Sequence, residues 1–205
     1  MNNNNTEEKN AELLLGQLFK DTKFENKIFS VGGFVRDELM GLKSKDLDIV
    51  VNFDGGSKEV VHILKRDLNS SVTNPHNLGN GFPIWQITFI DNVVFNNIEW
   101  KVKGAILEFA DTQKESFPDK ESRQRITSFG TMEEDVLRRD FTCNMLMRNV
   151  TDGKILDMAN GIFDIENGIL RSHPDVDFNK ILSDDPLRIL RMIRFQAKFG
   201  WMVQR

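Results

Sequence analysis

Val31-Gly32-Gly33-Phe34-Val35-Arg36-Asp37-Glu38-Leu39-Met40-Gly41-Leu42-Lys43-Ser44-Lys45-Asp46-Leu47-Asp48-Ile49-Val50-Val51 decides how this chain is read. The apolar Ile28, Phe29 and Val31 lead into two glycines, a helix-forming segment to Met40, a stop at Gly41 and a β-rich run bearing two aspartates. The order is strand, glycine turn, helix, strand. Without side chains, Gly32 and Gly33 let a large anion approach the backbone, and the helix that follows turns its N-terminal amides toward it. On the second strand, residues two apart share a face, so Asp46 and Asp48 project together while Leu47 enters the core. Paired carboxylates repel unless a cation lies between them, and hard oxygen ligands of this kind suit Mg²⁺ bridging to substrate phosphates. Taken singly, the glycines read as an ordinary turn and the aspartates as a solvated face; the series as a whole favours phosphate and metal.

Gly32-Gly33-Phe34-Val35-Arg36-Asp37, Leu39-Met40-Gly41 and Asp46-Leu47-Asp48 resemble the first signature of the class II tRNA nucleotidyltransferase and bacterial poly(A) polymerase family. Two further blocks resemble it downstream. Glu133-Glu134-Asp135-Val136-Leu137-Arg138-Arg139-Asp140-Phe141-Thr142-Cys143-Asn144 is similar to the second signature, and Ser183-Asp184-Asp185-Pro186-Leu187-Arg188-Ile189-Leu190-Arg191-Met192-Ile193-Arg194 to the third. The segment from Leu107 to Phe117 resembles the one that carries the family's third acidic residue. That residue is Glu108, preferred over Glu99 because Lys114-Glu115-Ser116-Phe117 also fits. Two features depart from the pattern: Gln113 stands where the family usually has arginine, and the long separation from Asp48 to Glu108 implies an extra hairpin around Val93 to Lys103. Asn160 replaces the first of two connector glycines, a substitution that a residue tolerant of positive φ can absorb.

The resemblance implies a fold and a chemistry. The fold is an α/β (α+β) nucleotidyltransferase head of the polymerase β-like kind, a mixed sheet with flanking helices, followed by the first helices of an all-α neck. Residues 1–10 form a disordered lead-in, 11–150 the catalytic head, and 151–205 the connector and the start of the neck. The reaction is attack by the tRNA 3′-hydroxyl on the α-phosphate of CTP or ATP, with Asp46 and Asp48 holding two Mg²⁺ ions, Glu108 assisting and pyrophosphate leaving. Gly32, Gly33, Arg36, Arg139, Arg191 and Arg194 meet the triphosphate, and Asp140 meets the ribose hydroxyls. Asp185 accepts the amino group of cytosine or adenine while Arg188 donates to a ring nitrogen, so the protein itself selects the base. The alternatives are poly(A) addition and a nucleotide-binding module without turnover.

Composition agrees with an ordinary globular protein of 205 residues, 40% hydrophobic and 28% charged, with a net charge of −4 that argues against broad attraction to nucleic acid. One cysteine suits a reducing compartment, the cytoplasm, and no apolar run reaches membrane-spanning length. His62, His76 and His173 are too scattered for a ligand set. The pattern further predicts helices over Ala11–Lys20 and Ser57–Leu68, the latter capped by Ser57, a loop over Asn69–Phe82, strands over Ile84–Ile90, Val93–Val102 and Ala105–Ala110, and a hairpin turn at Asp152-Gly153. The resemblance implies a mobile loop over the polar, aperiodic stretch Pro118–Phe129. The chain ends eleven residues after Arg194. From that end the sequence predicts weak tRNA binding by this polypeptide alone, and self-association or a partner chain through exposed Phe195, Phe199 and Trp201.

Overall fold

The structure, a computed structural model, describes residues 6–44, 46–116 and 126–204. The elements in order are α1 (Glu7–Leu18), β1 (Ile28–Val31), α2 (Gly33–Leu39), β2 (Leu47–Val51), α3 (Gly56–Leu68), β3 (His76–Asn77), β4 (Trp85–Thr88), β5 (Val93–Phe95), β6 (Ile98–Trp100), β7 (Ile106–Asp111), β8 (Gln113–Ser116), β9 (Ile126–Phe129), α4 (Met132–Leu137), β10 (Met147–Asn149), β11 (Ile155–Leu156), α5 (Gly161–Asn167), β12 (Ile169–Leu170), α6 (Phe178–Asp184), α7 (Leu187–Phe199) and β13 (Met202–Val203). They gather into two units, Met1–Thr112 with Met147–Ile155, and Gln113–Leu146 with Leu156–Arg205. No helix among the described residues is long and apolar enough to cross a membrane.

The first unit is built on a seven-stranded mixed sheet in the order β11-β10-β1-β2-β7-β4-β3. The parallel step of β2 against β7 closes a long crossover through α3, and the pairs on either side of it, β1 with β2 and β7 with β4, are antiparallel. Alternation fixes the faces: Leu47, Ile49, Leu107, Phe109 and Ile87 are buried, whereas Asp48 is exposed and Glu108 and Gln86 are half-buried. The predicted extra hairpin is present as β5 and β6, turned by Asn96 and Asn97 at φ 51° and 60°, the two positive values that a tight hairpin turn requires.

Several local expectations shift. Helix α1 starts at Glu7 rather than Ala11, because Thr6 accepts a hydrogen bond from the Lys9 amide at 3.2 Å and Glu7 and Glu8 complement the positive end of the helix. It thus takes in residues assigned from sequence to the lead-in. Ser57 is not the cap of α3. Gly55 holds that position at φ 71°, and the Asp111 carboxylate reaches over from β7 to accept from the Gly55 and Ser57 amides at 2.8 and 2.7 Å. The Asn69–Phe82 loop contains the short strand β3. Of the stretch read as a mobile loop, residues 118–125 lie outside the described residues, as do residues 1–5, and Ile126–Phe129 form β9.

Helix α1 is fastened to the sheet by charge as well as by Leu14 and Leu15. Glu12, 2% exposed, accepts from the Ser30 hydroxyl and from Arg148 of β10 at 3.2 Å, and Lys9 and Glu38 join the same cluster. Such a buried set is stabilising only while every member is paired.

In the second unit, β8 and β9 pair, α4 follows under a capping box of Thr131 and Glu134, α5 precedes β12, and α6 and α7 lie between β12 and its parallel partner β13 in the chain. Asn160 does take positive φ, 59°, directly before α5. Phe195 and Trp201 are not exposed but 6% and 7% accessible. Gly200, at φ 71°, turns the chain back after α7 so that β13 pairs with β12, and Trp201 then stacks near Phe199 at 4.9 Å within a row running to Phe195 and Phe141. The large apolar residues that α7 does expose are Leu187, Ile189, Leu190 and Ile193.

Gly16 provides a test of how closely α1 seats. A Cβ there would stand 2.1 Å from the Val150 carbonyl oxygen. Alanine gains about 1 kcal/mol in helix propensity, but overpacking against backbone costs about 1–3 kcal/mol. Gly16→Ala should therefore lower the midpoint of urea unfolding, and a raised midpoint would show that α1 moves freely off the sheet.

Candidate active site

The residues singled out from the sequence are divided between the two units. In the first unit, Gly32 stands at φ 67°, ψ −129°, a conformation only glycine adopts readily, and opens α2 immediately after β1. Phe34 and Val35 anchor that helix in the core. Arg36 is 6% exposed, and its Nε and Nη2 donate to Asp37 Oδ1 at 2.8 and 2.6 Å, so this guanidinium is held on its own helix.

Asp46 is exposed and lies one residue ahead of β2, with Asp48 two positions on. The parallel register pairs Asp48 directly with Glu108 of β7, and the antiparallel register on the other side pairs Glu108 with Gln86 of β4. Gln86 Nε2 donates to Glu108 Oε1 at 3.0 Å. Among the described residues no group of three or more His, Cys, Asp or Glu side chains is positioned to hold a metal ion as it stands. The donor set nonetheless fits a hard divalent cation: oxygen ligands only, two of them on adjacent strands in register and the third beside them in sequence.

In the second unit, the second signature is organised by a residue to which the sequence reading gave no role. Asp135 is fully buried on α4, and its Oδ1 accepts from Arg138 Nη2 at 2.7 Å and from the Gln113 amide at 3.0 Å, while Oδ2 accepts from Arg139 Nη2 at 2.7 Å. Burial alone would raise its pKa, but the two guanidinium groups outweigh that and hold the carboxyl below its ordinary value. The signal was available: Asp135, Arg138 and Arg139 have the i, i+3 and i+4 spacing of ion pairs on one helical face.

Asp140, 6% exposed, accepts from the Phe141 amide at 2.8 Å and Asn144 Nδ2 at 3.0 Å through Oδ1, and from Arg191 Nε at 2.6 Å through Oδ2. Asp185 lies between α6 and α7 and accepts from the Leu187 amide at 3.0 Å. Arg188, 9% exposed, donates to the carbonyls of Ile181 and Arg138 at 3.1 and 2.6 Å and stands 4.0 Å from Asp185. Arg194 is exposed. The second and third signatures are thus joined at two points, Arg188 on the Arg138 carbonyl and Arg191 on Asp140. Arg139, Asp140, Asp185, Arg188 and Arg191 form one polar assembly, and Arg194 lies farther along α7.

A family model described as the poly A polymerase head domain matches residues 28–171. The chain belongs to that family. Among its members, the mitochondrial CCA tRNA nucleotidyltransferase of Saccharomyces cerevisiae is 32% identical over 181 residues, covering 84% of this chain and 31% of that protein. Poly(A) polymerase I of Escherichia coli O6:H1 is 29% identical over 203 residues, covering 94% of this chain and 38% of the other. A solved CCA-adding enzyme, apo form II, is similar with a TM-score of 0.72 and 27% identity over 96% of this chain and 41% of its own. A CCA-adding enzyme in complex with CTP gives a TM-score of 0.68 and 28% identity over 96% of this chain and 40% of its own. The chain spans about a third of the length of the curated relatives it matches.

The buried Asp135 carboxylate makes stability depend on acid. Its folded pKa lies below the ordinary 3.8, so the stability it contributes is complete above that value and is lost as pH falls through the folded value. Asp135→Asn should cost about 3 kcal/mol at pH 7, since it strands two guanidinium groups. The difference from wild type should narrow below about pH 4. Denaturant unfolding at pH 7 and pH 3 checks this; a gap that does not change with pH would mean that the carboxylate's charge is not what holds the arginines.

Proposed function

We propose that this chain is the catalytic head and the beginning of the neck of a template-independent nucleotidyltransferase that adds C and A from CTP and ATP to the 3′ end of tRNA. The observation that carries the reading is the register of Asp48 with Glu108, with Asp46 immediately ahead of the strand, in a chain of this family. Residues 11–150 would supply the chemistry and 151–205 the groups that read the base.

Asp46, Asp48 and Glu108 would hold two Mg²⁺ ions, which supply activation of the attacking 3′-hydroxyl and neutralisation of the leaving pyrophosphate. The new bond joins the 3′-oxygen to the α-phosphorus, the α–β phosphoanhydride breaks, and the hydroxyl proton passes to solvent. Gly32 and Gly33 leave backbone open to phosphate. Arg36, Arg139, Arg191 and Arg194 offset triphosphate charge, and pre-pairing with Asp37, Asp135 and Asp140 orients the first three before the nucleotide arrives. Asp140 would turn an oxygen to the ribose hydroxyls. Asp185 and Arg188, 4.0 Å apart at the start of α7, would match the amino donor and ring-nitrogen acceptor that cytosine and adenine share, where uracil and guanine present a carbonyl in place of that amino group. Cys143, the single cysteine of the chain, is buried and in no disulfide, which suits a reducing compartment such as the cytoplasm.

Poly(A) addition is the second reading, favoured by the poly(A) polymerase I relative at 29% identity over 94% of this chain. Labelled CTP and ATP, offered with a tRNA lacking its 3′ end, separate the two. C followed by A is expected, and A alone, in long runs, would select the second reading. Asp46→Ala and Asp48→Ala should each reduce incorporation by a factor on the order of 100 or more, as losing a group that stabilises transition-state charge does. Asp185→Ala should admit UTP and GTP more than it weakens triphosphate binding. Full turnover by either carboxylate variant would remove the metal assignment.

A further inference from the structure

Gln86 lies outside every signature block, yet it is the cross-strand partner of Glu108, as Asp48 is on the other side. Directly opposed residues on paired strands share a face. Gln86, Glu108 and Asp48 therefore form a row across β4, β7 and β2, half-buried, half-buried and exposed. β4 is itself paired on both edges, with β3 and β7, so the backbone that carries Gln86 is fixed.

We propose that Gln86 is a positioning residue for Glu108. Its carboxamide donates to Oε1 at 3.0 Å. An ionised carboxylate only accepts, so the amide nitrogen, not its oxygen, must face it. The bond occupies one carboxylate oxygen and limits the rotation of the other, Oε2, with which Glu108 would help hold a divalent cation. A neutral donor suits this task better than arginine or lysine. It orients the carboxylate without cancelling the charge that attracts the cation, whereas a fixed cation would compete for the same oxygens. Outer-shell partners of this kind typically change metal affinity by about 10–100-fold.

The proposal rests on the reading of Asp46, Asp48 and Glu108 as the cation-holding carboxylates, and the test separates the two. Mn²⁺ binding to the 205-residue chain, followed by the loss of free Mn²⁺ signal in electron paramagnetic resonance, is measured for wild type, Gln86→Met, Glu108→Gln and the double variant. Gln86→Met keeps the length and removes the donor; Gln86→Asn keeps the amide and shortens its reach, and serves if methionine unfolds the strand. Either change should weaken Mn²⁺ binding by about 10-fold or more. Added to Glu108→Gln it should weaken binding no further, because it acts only through Glu108. Wild-type affinity in the Gln86 variants, or a loss that adds fully to that of Glu108→Gln, would overturn the positioning role while leaving the carboxylate site intact. If Asp48→Asn and Glu108→Gln themselves bind Mn²⁺ as wild type does, the underlying site reading falls as well.

Discussion

The parallel pairing of β2 with β7 is the constraint on which the rest depends. It places Asp48 beside Glu108, an arrangement that the two charges oppose and the core enforces. At a separation of 4 Å two like charges near a protein surface repel by about 1–4 kcal/mol. The same register buries Leu47, Ile49, Leu107 and Phe109, which together favour it by on the order of 10 kcal/mol. Slipping β2 by one residue would relieve the carboxylates but turn Leu47 and Ile49 outward, away from Leu107 and Phe109. The apolar term wins, and the folded protein keeps a carboxylate pair whose repulsion a cation can remove.

The second unit solves the opposite electrostatic problem. It concentrates arginines, and buried carboxylates keep them in place: Asp135 takes Arg138 and Arg139, and Asp140 takes Arg191. A guanidinium already paired on one edge retains donors on the other, and the pairing sets its orientation. Arg188 is held differently, by the carbonyls of Ile181 and Arg138, with the Asp185 carboxylate 4.0 Å away.

What could be read from the sequence follows the range of the interactions involved. Strand, turn, helix and strand from Ile28 to Val51 were legible because each depends on neighbours: Gly32 on its own φ, Leu47 and Asp48 on alternation. The β5–β6 hairpin and the turn at Gly153 were legible for the same reason. The cap of α3 was not, because it comes from Asp111, more than fifty residues downstream. Trp201 was misjudged because its burial depends on β13 returning to β12 past Gly200. Gln86 acquires meaning only once β4 lies against β7, a pairing over 22 residues that no local pattern announces. The joining of the second and third signatures through Asp140 and Arg191, 51 residues apart, is likewise a product of the fold.

The central claim is that the paired carboxylates of β2 and β7 are a cation site held against their own repulsion. Thermal unfolding of wild type and Asp48→Asn, with and without Mg²⁺, tests it most directly. At about 100 times its dissociation constant a bound ion adds about 2.7 kcal/mol, a rise in Tm of about 5–10 °C for a chain of this size. The account predicts that rise for wild type, and for Asp48→Asn little response to Mg²⁺. A wild type indifferent to Mg²⁺, or an Asp48→Asn variant stabilised by it as fully as wild type, would contradict the account.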